Sequence, residues 1–193
     1  MRVVRIAAIV LAAGASQRLG ELKQLIRLNG EAMVGRAARI CREAGCDPVI
    51  VVLGFRAEKI LEQCSFEGAE LVLNEGWAEG MSAAVRKGIN ALEEDVDVDG
   101  CILMACDMPA VSVSHLQELM ETGEKSASGY AGRRGVPAYF PRLMFSQLRD
   151  LRGDKGAREL LKDARIVQLA GGELDVDTPE DLARVREWLE QKS

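Results

Sequence analysis

The stretch Ile9-Val10-Leu11-Ala12-Ala13-Gly14-Ala15-Ser16-Gln17-Arg18-Leu19-Gly20-Glu21-Leu22-Lys23 joins an apolar run, Ile6 to Ala13, to a loop that carries Gly14, Ser16, Gly20 and two cations. A buried strand running straight into such a loop has the composition of an anion cradle. Glycine and small residues let backbone N–H groups approach a phosphate closely, and Arg18 and Lys23 supply the charge that a polyphosphate needs. The spacing is not G-x-G-x-x-G, because Ala15, Ser16 and Gln17 follow Gly14, and the Gly-Lys-Ser/Thr ending of a P-loop is missing. The expectation is a nucleotide site of another kind. The bland alternative is a glycine-rich strand-to-helix connection with stray surface cations.

Outward from this loop, the chain alternates between strand and helix patterns. Residues 3 to 12, apart from Arg5, form an apolar, partly β-branched run that predicts a parallel strand covered on both faces. Leu25 to Leu28 is a short, mostly apolar piece closed by the turn pair Asn29-Gly30, and residues 31 to 44 carry apolar and small residues at helical spacing, stopped by Gly45. Pro48 opens a second buried strand, Val49 to Leu53, so the first 53 residues read as a βαβ unit. Further helices are predicted at 57–64, 83–93, from Ser112 or Ser114 to about 120, from Pro141 to about 151 and at 155–162. Further strands are predicted at 70–74, 100–106, 128–131, 136–140 and 166–169, with an extended piece at 174–176. The closing helix begins at Asp177-Thr178-Pro179-Glu180-Asp181, where Thr178 is a natural N-cap, Pro179 suits the first helical position and acids fill the first turn. This pattern predicts one domain over residues 1–193, with a three-layer α/β/α, Rossmann-like, mainly parallel sheet.

Composition narrows the function classes. The chain has 193 residues, with 25 Lys plus Arg against 30 Asp plus Glu, so it lacks the broad basic surface of a nucleic-acid binder and must hold any polyanion with a local cation cluster. Cys41, Cys46, Cys64, Cys101 and Cys106 are an odd number with no C-x-x-C pair, the pattern of free thiols in a reducing compartment. The single histidine, His115, is expected at the surface or half-buried. No apolar run approaches the ~20 residues that span a bilayer, and the N-terminus leads into a strand, so a soluble cytoplasmic protein without membrane or nucleic-acid partners is expected.

In open parallel sheets, ligands sit beyond the carboxyl ends of the strands. Four loops follow strands there, at 13–23, 74–82, 107–109 and around 177, and they are expected to converge. Polar residues in them have plain structural readings: Asp107 as a turn residue before Pro109, Asp177 as part of a helix start and Ser82 as an N-cap.

The residues from Leu11 to Lys23 resemble the nucleotidyltransferase signature L-A-A-G-x-S-x-R-x-G-x-x-K at every fixed position. Asn74-x-x-Trp77-x-x-Gly80-Met81-x-x-Ala84, Asp107-Met108-Pro109, Gly132-Arg133-Arg134-Gly135-Val136-Pro137, Gly153-Asp154-Lys155-Gly156-Ala157-Arg158 and Asp175-Val176-Asp177-Thr178-Pro179-Glu180-Asp181 then follow in the order seen in MobA-like NTP transferases. Within that family they look most like the molybdenum-cofactor cytidylyltransferase branch.

The resemblance implies a nucleotide-diphospho-sugar transferase type of fold and transfer of CMP from CTP to the phosphate of molybdenum cofactor, releasing pyrophosphate. It implies that Leu11, Ala12, Ala13, Gly14, Ser16, Arg18, Lys23, Gly80 and Ser82 bind the nucleotide, and that Arg18, Lys23 and Asp107 are catalytic. Asp107 and Asp177 would hold Mg2+. Gly135, Pro137, Gly153, Lys155 and Arg158, with Arg133 and Arg134 beside them, would receive the acceptor. A molybdoenzyme or its maturation chaperone is the further partner implied. Leu-Ala-Ala-Gly in place of Leu-Ala-Gly-Gly favours cytidine over guanosine. Val136 departs from the pattern, since cytidylyltransferase relatives often carry His, Asn or Gln there. That departure bears on the acceptor and keeps three alternatives in view: another nucleotide such as GTP, another phosphate acceptor, or a non-catalytic accessory that binds and delivers the cofactor.

Overall fold

The computed structural model describes residues 3–16, 18–93, 95, 97–153 and 156–191. Its elements are β1 (Ile6–Ala12), β2 (Arg27–Leu28), β3 (Glu31–Ala32), α1 (Met33–Glu43), β4 (Val49–Leu53), α2 (Ala57–Gln63), β5 (Glu70–Leu73), α3 (Met81–Ala91), β6 (Gly100–Ala105), α4 (Val113–Met120), β7 (Ser126–Tyr130), β8 (Arg133–Pro141), α5 (Phe145–Arg149), β9 (Arg165–Gln168) and α6 (Pro179–Glu190). Seven strands form one sheet in the order β5-β4-β1-β6-β8-β7-β9, in which β8 alone runs against its neighbours β6 and β7.

β1 shows why three layers form. Its alternate residues Ala8, Val10 and Ala12 pack with Val34, Ala37 and Cys41 of α1 and with Leu116 and Leu119 of α4. Ala7, Ile9 and Leu11 face the other way, against Ala84, Val85 and Ile89 of α3 and Phe145 and Leu148 of α5. A strand buried on both faces must be apolar at every position, and the sequence of β1 obeys. Helix α3 lies so close that a Cβ on Gly88 would stand 2.4 Å from Ile9 Cγ2, so this position in the helix interior has room only for glycine.

A third apolar cluster joins the C-terminal helix to the N-terminal loop. Leu19, Ile26, Leu28 and Met33 pack with Val176, Leu182 and Val185. The start of α6 is thereby brought to the loop after β1, although more than 150 residues of sequence separate them.

Several boundaries differ from the expectation. Val3 and Val4 are exposed and lie before the strand, because pairing with β6 begins at Ile6↔Gly100. Residues 31 and 32 form a short antiparallel bridge with β2, so the first helix starts at Met33. The polar segment Arg133–Gly135, expected as a loop, is the half-exposed first part of β8, joined to β7 by the turn Ala131–Gly132. The helices expected from 141 and at 155–162 shorten to one five-residue helix and 3-10 turns at Arg142–Met144 and Arg158–Leu161. Residues 174–176 join no strand among those described.

His115 is buried, contrary to the surface or half-buried placement expected. Its Nε2 lies 2.8 Å from Ser128 Oγ, which donates to the Pro137 carbonyl at 2.7 Å. Because the one hydroxyl proton is used on Pro137, Nε2 is the donor to Ser128. This chain of bonds ties α4 to β7 and β8.

Candidate functional site

The chain moves from β1 outward to β4 and β5, then returns to β6 on the other side of β1. Between β1 and β6 the strand order therefore reverses, and the loops beyond the two carboxyl ends diverge around a crevice. A cavity of about 200 Å3 lies there, lined by Leu11, Ala12, Ala13 and Gly14 from β1 and its loop and by Ala105, Cys106 and Asp107 from β6. Lys23, Gln24, Trp77, Gly80, Met81 and Ala84 complete it. Trp77 stands edge-on to Phe55 with ring centroids 5.0 Å apart, which gives the cavity a braced aromatic wall.

The loop after β1 is held from beneath. Leu19 and Leu22 are buried anchors in two different clusters, and Ser16, at φ 51°, accepts a bond from the Lys23 N–H at 3.2 Å through its hydroxyl. Gln24 is fully buried, and its Nε2 donates to the carbonyls of Ala12 at 2.9 Å and Gly14 at 2.8 Å. A buried amide next to two carbonyls can only present its NH2 to them, so these bonds also fix its orientation.

Three chain segments meet at Lys23. Its Nζ donates to Asp107 Oδ2 and, at 2.9 Å, to Asp177 Oδ1, while Arg18 donates to the other oxygen of Asp177 at 2.6 Å. Burial alone would lower the Lys23 ammonium's pKa. The charge of Asp107 and the hydrogen bonds to both carboxylates outweigh that cost and hold it above the ordinary lysine value. Asp175 stands at the rim of the same cluster. Partial burial, reinforced by the charges of Asp107, Asp177 and Asp181, raises its pKa against one opposing backbone bond. The neighbouring Cys106 thiol is pushed up to about 12, chiefly by burial and then by Asp107, so it stays protonated.

Helix capping does not consume Asp177. Thr178 is the N-cap of α6, its hydroxyl accepting from the Asp181 N–H, while the Thr178 N–H donates to the Asp181 carboxylate. The cap thus falls to Thr178 and Asp181 and leaves the Asp177 carboxylate to Lys23 and Arg18.

A second cavity, about 250 Å3, adjoins the first and shares Lys23, Met81, Ala105 and Asp107 with it. Its other walls include Tyr130, Arg133, Arg134, Gly135, Val136, Arg158, Asp175 and Asp177. Arg133 lies over the Tyr130 ring at 5.3 Å, and Arg134 Nε donates to the Ala164 carbonyl. Neither Arg133 nor Arg158 forms an ion pair with a carboxylate among the described residues. Unpaired guanidinium groups beside a cavity, in an acidic chain, are places for an anionic ligand.

The structure thus brings Leu11, Ala12, Ala13, Gly14, Lys23, Gly80 and Asp107 to the smaller cavity, and Asp177, Gly135 and Arg158 to the larger. Arg18 reaches the cluster through Asp177, and Ser16 acts on the loop backbone. Ser82 lines neither cavity: it is fully buried in the first turn of α3, and its hydroxyl has no hydrogen-bond partner among the described residues. The N-cap position is Gly80, so capping by Ser82 does not occur either. Pro137 is buried and lines neither of the two cavities, and Gly153 is exposed, its carbonyl accepting from the Ser82 N–H. Lys155 lies outside the described residues.

Gln24, Trp77, Met81, Tyr130 and Asp175 line the cavities without having been assigned a role from sequence. For Gln24 a signal existed, a lone amide wedged among Leu22, Leu25 and Ile26. Tyr130 carried none, because its place depends on the pairing of β7 with β8.

The donor chemistry fits a divalent cation. Two carboxylates from separate segments already share one cation, the Lys23 ammonium. Among the described residues no group of three or more acidic, His or Cys ligands is arranged for a metal, so such an ion would take its remaining ligands from phosphate oxygens and water.

Comparison with known proteins agrees with this architecture. The sequence model of the MobA-like NTP transferase domain matches residues 8–170. Purine catabolism protein PucB of Bacillus subtilis is 30% identical, the match covering 96% of this chain and 98% of that protein. Nicotine blue oxidoreductase of Paenarthrobacter nicotinovorans is 30% identical over 92% and 94% of the two chains. A probable molybdenum cofactor guanylyltransferase of Opitutus terrae is 33% identical, but over 62% of this chain and 56% of its own. Among solved structures, Rv0371c of Mycobacterium tuberculosis superposes with a TM-score of 0.84 at 32% identity, covering 95% and 98% of the chains. The same protein in complex with manganese gives a TM-score of 0.81 at 29% identity, covering 95% and 99%. With strand order, crevice and sequence model in agreement, the chain belongs to the family of MobA-like NTP transferase domains.

Proposed function

We propose that this chain is a divalent-metal-dependent nucleotidyltransferase that moves CMP from CTP to the phosphate of molybdenum cofactor and releases pyrophosphate. One observation carries the reading: two cavities of different character meet at a shared wall that contains Lys23 and Asp107. The smaller, with its backbone segment and aromatic wall, suits a nucleotide. The larger, with Arg133, Arg134 and Arg158, suits an anionic acceptor.

Nucleotidyl transfer forms a bond between an acceptor phosphate oxygen and the α-phosphorus while the bond to the β-phosphate oxygen breaks, and negative charge passes to the pyrophosphate. Lys23 at the shared wall, with Arg18 at the mouth of the loop, neutralises that charge, and the loop N–H groups hold the phosphates in line. Asp107 and Asp177 would hold a Mg2+ ion, which supplies charge stabilisation at the phosphate oxygens. Val136 lines the acceptor cavity with an apolar side chain, while the Tyr130 hydroxyl donates to its carbonyl at 3.2 Å, so polar recognition of the acceptor falls to the arginines.

Molybdenum cofactor as acceptor is supported by the relatives named for that cofactor, and CTP by the Leu-Ala-Ala-Gly segment. Those relatives are named guanylyltransferases, which favours GTP as the second reading. The deciding experiment measures pyrophosphate release with molybdenum cofactor and each of CTP, GTP, ATP and UTP in Mg2+. Turnover with CTP above the others is expected. Turnover with GTP alone would establish the second reading, and no release with any nucleotide would overturn both.

A further inference from the structure

Four successive carbonyls at the end of β1 are engaged inside the protein. Leu11 O accepts from the Cys106 N–H at 3.1 Å, Ala13 O from the Phe55 N–H at 3.1 Å, and Ala12 O and Gly14 O both accept from Gln24 Nε2. The N–H groups of Ala13 and Gly14 make no hydrogen bond among the described residues, and both residues line the smaller cavity. The backbone of this segment therefore offers the cavity donors in preference to acceptors. Two of the four carbonyls depend on one side chain, and that side chain is fully buried, where an unmatched amide would be costly.

We propose that Gln24 is a specificity-determining residue of the nucleotide site: by drawing the Ala12 and Gly14 carbonyls onto its own amide, it leaves a donor wall that accepts cytosine and refuses guanine. Cytosine presents adjacent acceptors, O2 and N3, to such a wall. Guanine presents N1–H and the N2 amino group on its pairing edge and needs the acceptors that Gln24 has taken. A site built to satisfy one pattern rejects the other because buried polar groups are left unpaired. The inference rests on the reading of the smaller cavity as the nucleotide site, and it adds the residue that sets the choice of base.

The test measures binding of CTP and of GTP, each with Mn2+, by calorimetry on the full chain without acceptor. Wild type is expected to favour CTP. In Gln24→Glu, whose carboxylate cannot donate to either carbonyl, and in the milder Gln24→Met, the CTP-to-GTP affinity ratio is expected to fall at least tenfold, mainly through weaker CTP binding. The wild-type chain supplies an arm that needs no variant: 3-deaza-CTP, which lacks the N3 acceptor, is expected to bind at least tenfold more weakly than CTP. A wild-type preference for GTP, equal losses for both nucleotides in the variants, or 3-deaza-CTP binding as well as CTP would overturn the role of Gln24 while leaving a nucleotide site in place. Binding of neither nucleotide to wild type would remove the nucleotide reading itself, and this inference with it.

Discussion

Lys23 Nζ donates to Asp177 Oδ1 at 2.9 Å across 154 positions of the chain, and the same ammonium holds Asp107. A cation thus sits between the two carboxylates proposed as metal ligands. A metal at this pair would compete with the ammonium for the two acids, and its entry would free Lys23 for a phosphate.

Replacing Lys23 by Met separates these effects. The variant should bind Mn2+ several-fold more tightly than wild type in the absence of nucleotide, because the competing cation is gone, and this is read from the signal of free Mn2+ in electron paramagnetic resonance. Transfer activity should fall about a hundredfold or more, since a charge used in the transition state is lost. Unchanged or weaker Mn2+ binding would show that Lys23 and the metal do not share a place.

Asp177 and Thr178 are adjacent yet separable. Thr178→Ala removes the N-cap of α6 and should cost about 1 kcal/mol in unfolding free energy, with metal affinity kept. Asp177→Asn leaves the capping box intact and should cost under about 1 kcal/mol, because its pairs with Lys23 and Arg18 are partly solvated. Its Mn2+ affinity should nevertheless drop tenfold or more. Denaturant titration and metal titration of both variants check the dissociation; parallel losses in both would mean that the pentad acts as one structural unit.

The loop after β1 and the sheet were legible because their signals are local. Residues 6–13 are apolar on both faces, and Gly14, Ser16 and Gly20 mark the turn at its end. The second cavity was only half legible. Gly135 and Arg158 were expected in one site and both line this cavity, yet Tyr130 enters it only through the antiparallel pairing of β7 with β8, a long-range contact that periodicity does not encode. Ser82 failed as a candidate for a related reason: the helix start was read correctly to within two residues, but Gly80 takes the cap position and turns the serine inward. Asp177 was ambiguous because one pentad serves both a helix cap and a charge cluster, and sequence cannot divide the two.

The buried His115 gives stability a pH dependence. Burial lowers its pKa in the fold, with the charge of Glu118 opposing, so the unfolded chain takes up the proton first as pH falls. Stability that is present above the ordinary imidazole value of about 6.5 is lost as pH drops below it, by at most about 1.4 kcal/mol per pH unit for one group. His115→Gln keeps a donor for Ser128 but has no such proton. Urea unfolding of both proteins at pH 8, 6.5 and 5 should show wild type more stable at pH 8 and the gap closing toward pH 5. A gap independent of pH would mean that His115 titrates alike in both states.

Gly88 turns an ordinary helix argument around. In an exposed helix interior, alanine is favoured over glycine by about 1 kcal/mol. Here the added methyl would meet Ile9 Cγ2 at 2.4 Å and Cδ1 at 3.2 Å, on the central strand whose carboxyl end carries the cavity loop. Overpacking of that kind costs about 1–3 kcal/mol, so Gly88→Ala should destabilise the fold despite its better propensity. Pairing it with Ile9→Val, which removes one methyl from the same contact, should recover part of the loss. Denaturant midpoints of the two single variants and the double variant form the cycle, and additive losses would show that the close approach of α3 to β1 is not what requires glycine.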